Sequence, residues 1–261
     1  MTEQTGQIAA NRPPLHLLLM GESGSGKDTF AATWPKPMLV WHLDGYGQEM
    51  PYMKGATSVS EIQQYQLGNS GLMIPYRDIV RPDGFVRIEY YSSDNPEMPN
   101  AVAMLTARMS YFAGEVSQWK TLAVGSLSSI SLEARLYEQF VLNPQYKDPR
   151  KWFGAAADML ERLIALQKGF PINVVMMCHV ARQMDEVDGT MLYTPDLPGR
   201  LSYGAARYFN EMYRMYVARL PDGKTQRALQ TDNDGKYQAK THIDAPSPCW
   251  PTYDSLWVNW R

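Results

Sequence analysis

The chain has 261 residues, a formal net charge of −2 and two cysteines. That balance excludes a global basic field for nucleic acid, so any such contact must come from a local patch or from assembly. Cys178 and Cys249 exclude a disulfide framework, no CxxC or HExxH pair suggests zinc, and no apolar run of about 18 residues suggests a membrane span. A cytoplasmic α/β protein with one main domain over 14–245 is expected.

Residues 1–13 read as a flexible tail without a signal-peptide apolar stretch. Residues 15–20, Leu-His-Leu-Leu-Leu-Met, have the composition of a strand buried on both faces of a parallel sheet. The strand runs into Gly21, Glu22, Ser23, Gly24, Ser25, Gly26, Lys27, Asp28 and Thr29. The spacing Gly21-x4-Gly26-Lys27 is that of a P-loop. Its amides point into one concavity, and with the helix dipole and the Lys27 ammonium they suit the β- and γ-phosphates of a nucleotide. The helix that follows must be short, because Trp34-Pro35-Lys36-Pro37 ends it.

Residues 38–43 form the next strand, closed by Asp44-Gly45. Residues 46–84, rich in Gly, Pro, Tyr and Gln, read as an irregular insertion with a weak helix over 58–65. A strand over 85–91, a helix over 100–116, a core strand over 121–124 and a helix over 132–141 come next. Residues 152–167 form an amphipathic helix with Phe153, Ala156, Leu160, Leu163, Ile164 and Gln167 on one face. The apolar run 171–178 ends at His179. Late hairpins are expected, with turns at Asp188-Gly189 and Asp222-Gly223. An aromatic-rich helix over 203–212 and a Trp- and Pro-rich tail from 246 complete the chain. Tyr203, Tyr208, Phe209, Tyr213 and Tyr216 read as helix core rather than as a base-stacking platform. The fold class is α/β, a mainly parallel sheet flanked by helices with late antiparallel strands.

Ligands of such sheets sit past the carboxyl ends of the strands. Asp44 there is either a base that orients water or a turn residue, and His179 either a γ-phosphate sensor or a strand-end histidine. Ser126, Ser128 and Ser129 either line the site or cap a helix. Two positions linked to Mg²⁺ are atypical together. Asp28 stands where Ser or Thr is usual, and Gly125 stands where a strand-end Asp is usual. Either Asp28 carries the missing charge to the metal, or metal and catalysis are lost.

In order and spacing these parts resemble the phage-encoded RecA-like nucleotide-binding proteins, some of which act as single-strand annealing ATPases. The matching stretches are Leu-Leu-Leu-Met-Gly-Glu-Ser-Gly-Ser-Gly-Lys-Asp-Thr, then His-Leu-Asp-Gly (42–45), Thr-Leu-Ala-Val-Gly-Ser-Leu-Ser-Ser-Ile (121–130), Val-Val-Met-Met-Cys-His (174–179), Leu-Pro-Gly-Arg-Leu (197–201) and Ala-Lys-Thr-His (239–242). The resemblance implies a RecA-type core, ATP, Mg²⁺, self-assembly into a ring or filament, and single-stranded DNA as a partner. It makes Lys27 the phosphate lysine, Asp44 the catalytic acid and His179 the sensor. It makes Lys240 a basic finger that reaches a neighbour's nucleotide. Asp28, Gly125, and His242 in place of an Arg, depart from the pattern and bear on hydrolysis more than on binding. The alternatives are a degenerate P-loop that binds nucleotide without turnover and serves as an interaction module, and a nucleotide kinase. Kinases share Gly-Lys-Asp-Thr, but no Arg cluster suited to a kinase lid is present here.

Overall fold

A computed structural model describes residues 12–45, 47–93, 95–184 and 189–260. Most of the stretch 1–13, and Asp188 of the Asp188-Gly189 turn, lie outside the described residues. In chain order the elements are β1 (His16–Gly21), α1 (Lys27–Ala31), β2 (Met38–His42), α2 (Met50–Met53), β3 (Ser58–Val59), β4 (Gln63–Gln66), β5 (Met73–Arg81), β6 (Gly84–Tyr90) and α3 (Ala101–Glu115). They continue with β7 (Thr121–Gly125), α4 (Leu127–Tyr137), α5 (Pro149–Leu166), β8 (Asn173–Cys178), β9 (Val180–Met184), β10 (Met191–Pro195), α6 (Leu201–Gly204), β11 (Glu211–Arg219) and β12 (Thr225–Gln230).

Side-chain alternation along β1 sets the layers. Leu17 and Leu19 face one side of the sheet, with Phe30, Trp34, Val40, Ala123 and Val175. Leu18 and Met20 face the other, with Trp41, Phe112, Val124, Leu160 and Met176. Both faces are dry because helices cover both: α3, α4 and α5 on the second, α1 and α2 on the first. Each fully buried Leu or Val contributes about 1.5–3 kcal/mol. That is why these strands read as unbroken apolar runs rather than as alternating ones.

The main sheet has the order β12-β11-β1-β8-β7-β2-β6-β5-β3, with β4 paired to β5. The strands from β11 to β6 are mutually parallel, and β12, β5, β3 and β4 join antiparallel. The expected mixed α/β sheet with late hairpins is therefore present, β9–β10 forming a separate two-stranded sheet.

Four local expectations are corrected. Residues 46–84 are not irregular, and no helix covers 58–65. β3, β4 and β5 run through them. β5 forms because β6 would otherwise be an open edge, and its register is sealed by a cross-strand pair, Arg87 Nε–Asp78 Oδ1 at 2.7 Å and Nη2–Oδ2 at 2.8 Å. The helix expected over 203–212 stops early, and β11 begins at Glu211, so Tyr213 and Tyr216 are strand residues beside β1. Tyr213 is core, whereas Tyr203 is exposed. Phe153 leaves the buried face of α5 and lies in solvent under Arg135, whose guanidinium is 5.4 Å from its ring.

The C-terminal segment is also part of the core rather than a tail. Cys249 bridges to Leu229, and Tyr253, Leu256 and Trp257 pack with Trp34 over β1. Trp257→Ala should therefore cost about 3–5 kcal/mol. Trp250→Ala, at an exposed position, should stay within about 0.5 kcal/mol of the parent in urea denaturation.

Candidate phosphate-binding site

The loop after β1 has backbone geometry that glycine holds best. Gly26 has φ +105°, and a Cβ there would lie 2.6 Å from Arg227 Cδ. Gly24 has φ +74°, and nothing lies within 4 Å of a Cβ built on it, so that side of the loop is open. Gly21 is constrained by space: a Cβ would meet Met215 O and Ser25 Oγ, each at 2.7 Å, where β11 passes close beside β1.

Lys27 is buried beneath the loop. Its ammonium donates to Gly21 O at 2.9 Å and to Glu22 O at 3.1 Å. Burial pulls its pKa down, against the charges of Asp28, Cys178, Asp44 and Glu22. Phosphate oxygens are stronger acceptors than these carbonyls, so an entering phosphate would take the ammonium over. α1 has only five residues, so the dipole expected to assist is small. The loop amides and Lys27 carry the anion site.

The loop opens on a cavity of about 220 Å³. Ser23, Gly24, Lys27 and Asp28 line it from the loop, Asp44 and Gln48 from the segment after β2, Gly125 and Ser126 from the end of β7, and Met177 and His179 from β8. The sheet register causes this convergence. Met20 pairs with Cys178, Val124 with Met176, and His42 with Gly125, so all four strands end at one edge. Leu43 N–H also donates to Gly125 O at 2.7 Å, which draws the Asp44 segment against β7. A larger cavity, about 780 Å³, lies between α4, α5 and residues 196–200 and includes no part of the P-loop.

Lys27, Asp28, Asp44 and His179 are thus brought together, as expected. Gly21, Glu22, Ser25 and Gly26 shape the loop without lining the cavity. Thr29 is not in it. It is exposed and lines a different cavity with Pro51, Lys54 and Tyr253. One residue on a helix turns the side chain by about 100°, so only position 28 can face the loop. Lys240 is also absent. Its backbone pairs with Met212, level with Leu18, three residues before Gly21 along β1. Burial lowers its pKa, Glu211 raises it and Lys168 lowers it.

Charge in the cavity is unbalanced. Burial raises the Asp28 pKa, His42 and Lys27 lower it, and Asp44 raises it. Asp44 accepts a hydrogen bond from Ser129 Oγ at 2.5 Å, and Ser129 Oγ lies 2.8 Å from Ser126 Oγ, which caps α4. The serines therefore both cap the helix and hold Asp44. Ser128 Oγ accepts the His179 backbone N–H at 3.1 Å and so fixes the end of β8. Ser25 Oγ and His42 Nε2 are buried without hydrogen-bond partners. Tyr52 faces Asp28 closely enough for that carboxylate, after burial, to raise its phenol pKa.

Among the described residues no three His, Cys, Asp or Glu side chains converge to hold a metal by themselves. Mg²⁺ is commonly held by one or two carboxylates completed by phosphate and water. Asp28 and Asp44 on one cavity wall fit a cation that arrives with a nucleotide. Gln48, Tyr52 and His42 carry no local signal of a site in the sequence. Ser129, expected either to line the site or to cap the helix, holds Asp44 beside the cap Ser126.

Gly26→Ala should cost about 1–3 kcal/mol in denaturant unfolding, because φ +105° strains any L side chain. Adding Arg227→Ala should not rescue it, since the exposed arginine tip can move and the backbone strain stays.

No family model matches the chain, and no curated protein matches it. Among solved structures it is similar to the flagellar accessory protein FlaH from Methanocaldococcus jannaschii, at 10% identity and a TM-score of 0.43, over 87% of this chain and 82% of that one. A likeness of that degree says nothing of activity.

Proposed function

We propose that the chain is a RecA-type nucleotide-binding protein that binds ATP with Mg²⁺ and hydrolyses it. The observation that carries this reading is the P-loop cavity, with a buried lysine ammonium parked on two loop carbonyls. Strand order supports it. β8 lies between the P-loop strand β1 and the Gly125 strand β7, which is the RecA-type order. In nucleotide kinases the two corresponding strands are neighbours, so the kinase reading is disfavoured.

In this reading the loop amides and Lys27 bind the β- and γ-phosphates. Bound Mg²⁺ would neutralise phosphate charge. Asp44, held by Ser129, accepts a hydrogen bond from the attacking water and aims it, and His179 meets the γ-phosphate from β8. Catalysis is then positioning and electrostatics, as is usual in phosphoryl transfer. Gly125 is the observation that favours the second reading, binding without turnover, because the usual carboxylate is missing from that strand end.

A role on single-stranded DNA rests on the family resemblance and on one structural link. The β9–β10 hairpin starts at His179 and approaches the P-loop through Arg182 and Glu22, 3.9 Å apart. It is pinned by the stacked rings of Tyr193 and Tyr237, 4.2 Å between centroids, with Arg214 3.3 Å from the Tyr237 ring. Arg182 is the one cation of residues 180–195, which also carry Asp185, Glu186 and Asp188, so contact with a flexible strand would rest on Arg182, Arg214 and the stacked tyrosines rather than on a basic surface. Lys240, outside its own P-loop cavity, is free to act only on a neighbour's site in a ring or filament.

Lys27→Ala should abolish both ATP binding in equilibrium titration and phosphate release. Asp44→Asn should keep ATP affinity and lower kcat by about 10²–10⁴-fold. Wild-type protein that binds ATP and releases no phosphate, with or without single-stranded DNA, would leave the binding-module reading instead. Lys240→Ala should lower only the ATPase that rises with protein concentration. Unchanged activity at saturating protein would refute a role in trans.

A further inference from the structure

Two departures from the usual P-loop pattern meet at one point in space. A Cβ built on Gly125 lies 3.7 Å from Asp28 Oδ1. A carboxylate carried on that Cβ would extend into the region that the Asp28 carboxylate already fills. Two hydroxyls near Asp28 are committed or misplaced. Ser126 Oγ caps α4 and contacts Ser129, and Thr29 faces another cavity. The other carboxylate on the cavity, Asp44, is engaged by Ser129. Beside Asp28 lie two fully buried side chains, Tyr52, whose phenol is turned to the Asp28 carboxylate, and His42, whose Nε2 has no hydrogen-bond partner.

We propose that Asp28 is the carboxylate that holds the divalent cation of the nucleotide, reaching from the P-loop helix into the place a strand-end carboxylate at position 125 would occupy. The proposal rests on the phosphate-binding reading of the loop and assigns its metal ligand. Glycine at 125 follows from it. Two carboxylates in that space would repel one another in a partly desolvated cavity. Tyr52 and His42 form a buried polar backing behind Asp28, placed to donate to its carboxylate once a cation and phosphates fix its orientation.

The experiment is ADP binding by titration calorimetry in EDTA and then in Mn²⁺, with bound Mn²⁺ counted independently by electron paramagnetic resonance. Wild type should bind ADP in both and gain affinity with Mn²⁺. Asp28→Ser and the near-isosteric Asp28→Asn should bind ADP at least as well in EDTA, because a negative charge has left the phosphate site. Their Mn²⁺-dependent gain should shrink about tenfold or more, with a matching loss of bound Mn²⁺. Asp28→Ser combined with Gly125→Asp should recover most of that gain. The new Cβ meets only the end of the Met177 side chain, at 3.0 Å, which can turn aside.

Equal Mn²⁺ dependence in wild type and both single variants would overturn the proposal while leaving the phosphate site intact. A folded double variant that recovers nothing would overturn the positional equivalence of 28 and 125. Should the double variant fail to fold, the two single variants decide alone. Wild type that binds no ADP in EDTA or in Mn²⁺ would instead remove the phosphate-binding reading itself.

Discussion

The parallel register of β2, β7, β8 and β1 is the constraint on which the rest depends. Parallel pairing aligns strand ends on one edge, so the residues that follow His42, Val124, Cys178 and Met20 must meet. None of the groups in the cavity is close to all the others in sequence. Asp28 and Asp44 are neighbours there because β2 pairs with β7 and β7 with β8, one strand away from the P-loop strand.

That edge is costly to build. A buried ammonium and a desolvated carboxylate with a raised pKa are what a fold avoids elsewhere. The two apolar layers offset the cost. Leu17, Leu19 and Trp34 below, and Leu18, Trp41 and Phe112 above, bury large side chains on both faces of the same strands. Natural proteins concentrate such local conflicts at functional sites and compensate in the core. The polar network of Arg108, Glu89, Tyr65 and Tyr91 is joined by hydrogen bonds, with Arg108 Nη1 left unpartnered. Arg108 Nε reaches Glu89 Oε2 at 3.0 Å, and Tyr91 OH donates to Glu89 Oε2 at 2.7 Å. It ties α3 to β6 far from the P-loop, where structure rather than chemistry explains it.

The helices divide the work unevenly. α5 and α3 are long and bury one face each. α1, which carries Lys27 and Asp28, has one turn and a half before Trp34-Pro35 stops it. Its brevity removes most of the macrodipole and leaves backbone amides and one ammonium as the anion site. It also means that the side-chain direction at each of its few positions matters. Asp28 points into the cavity and Thr29 points out.

The strand at 15–20, the P-loop, the short helix, the core strands at 38–43, 121–124 and 171–178, and the fold class were legible in the sequence. Each depends on local chemistry: apolar runs long enough for a strand, glycines at fixed spacing, a proline stop. What the chain could not reveal was non-local. Residues 46–84 are polar and look irregular, yet they pair because an open edge of β6 awaits them. Tyr213 and Tyr216 belong to a strand because β1 needs a partner, although their neighbours suggest a helix. Tyr253 is core because Trp34, more than two hundred residues earlier, lies against it, and Trp257 packs on Tyr253 in turn. Sequence alone determined that a phosphate-binding loop follows a buried strand, since backbone sterics act within a few residues. Only the tertiary structure decided that Asp28 occupies the space beside Gly125, that Ser129 holds Asp44 and that Lys240 lies outside the cavity, because pairing register and packing bring together groups that sequence distance keeps apart.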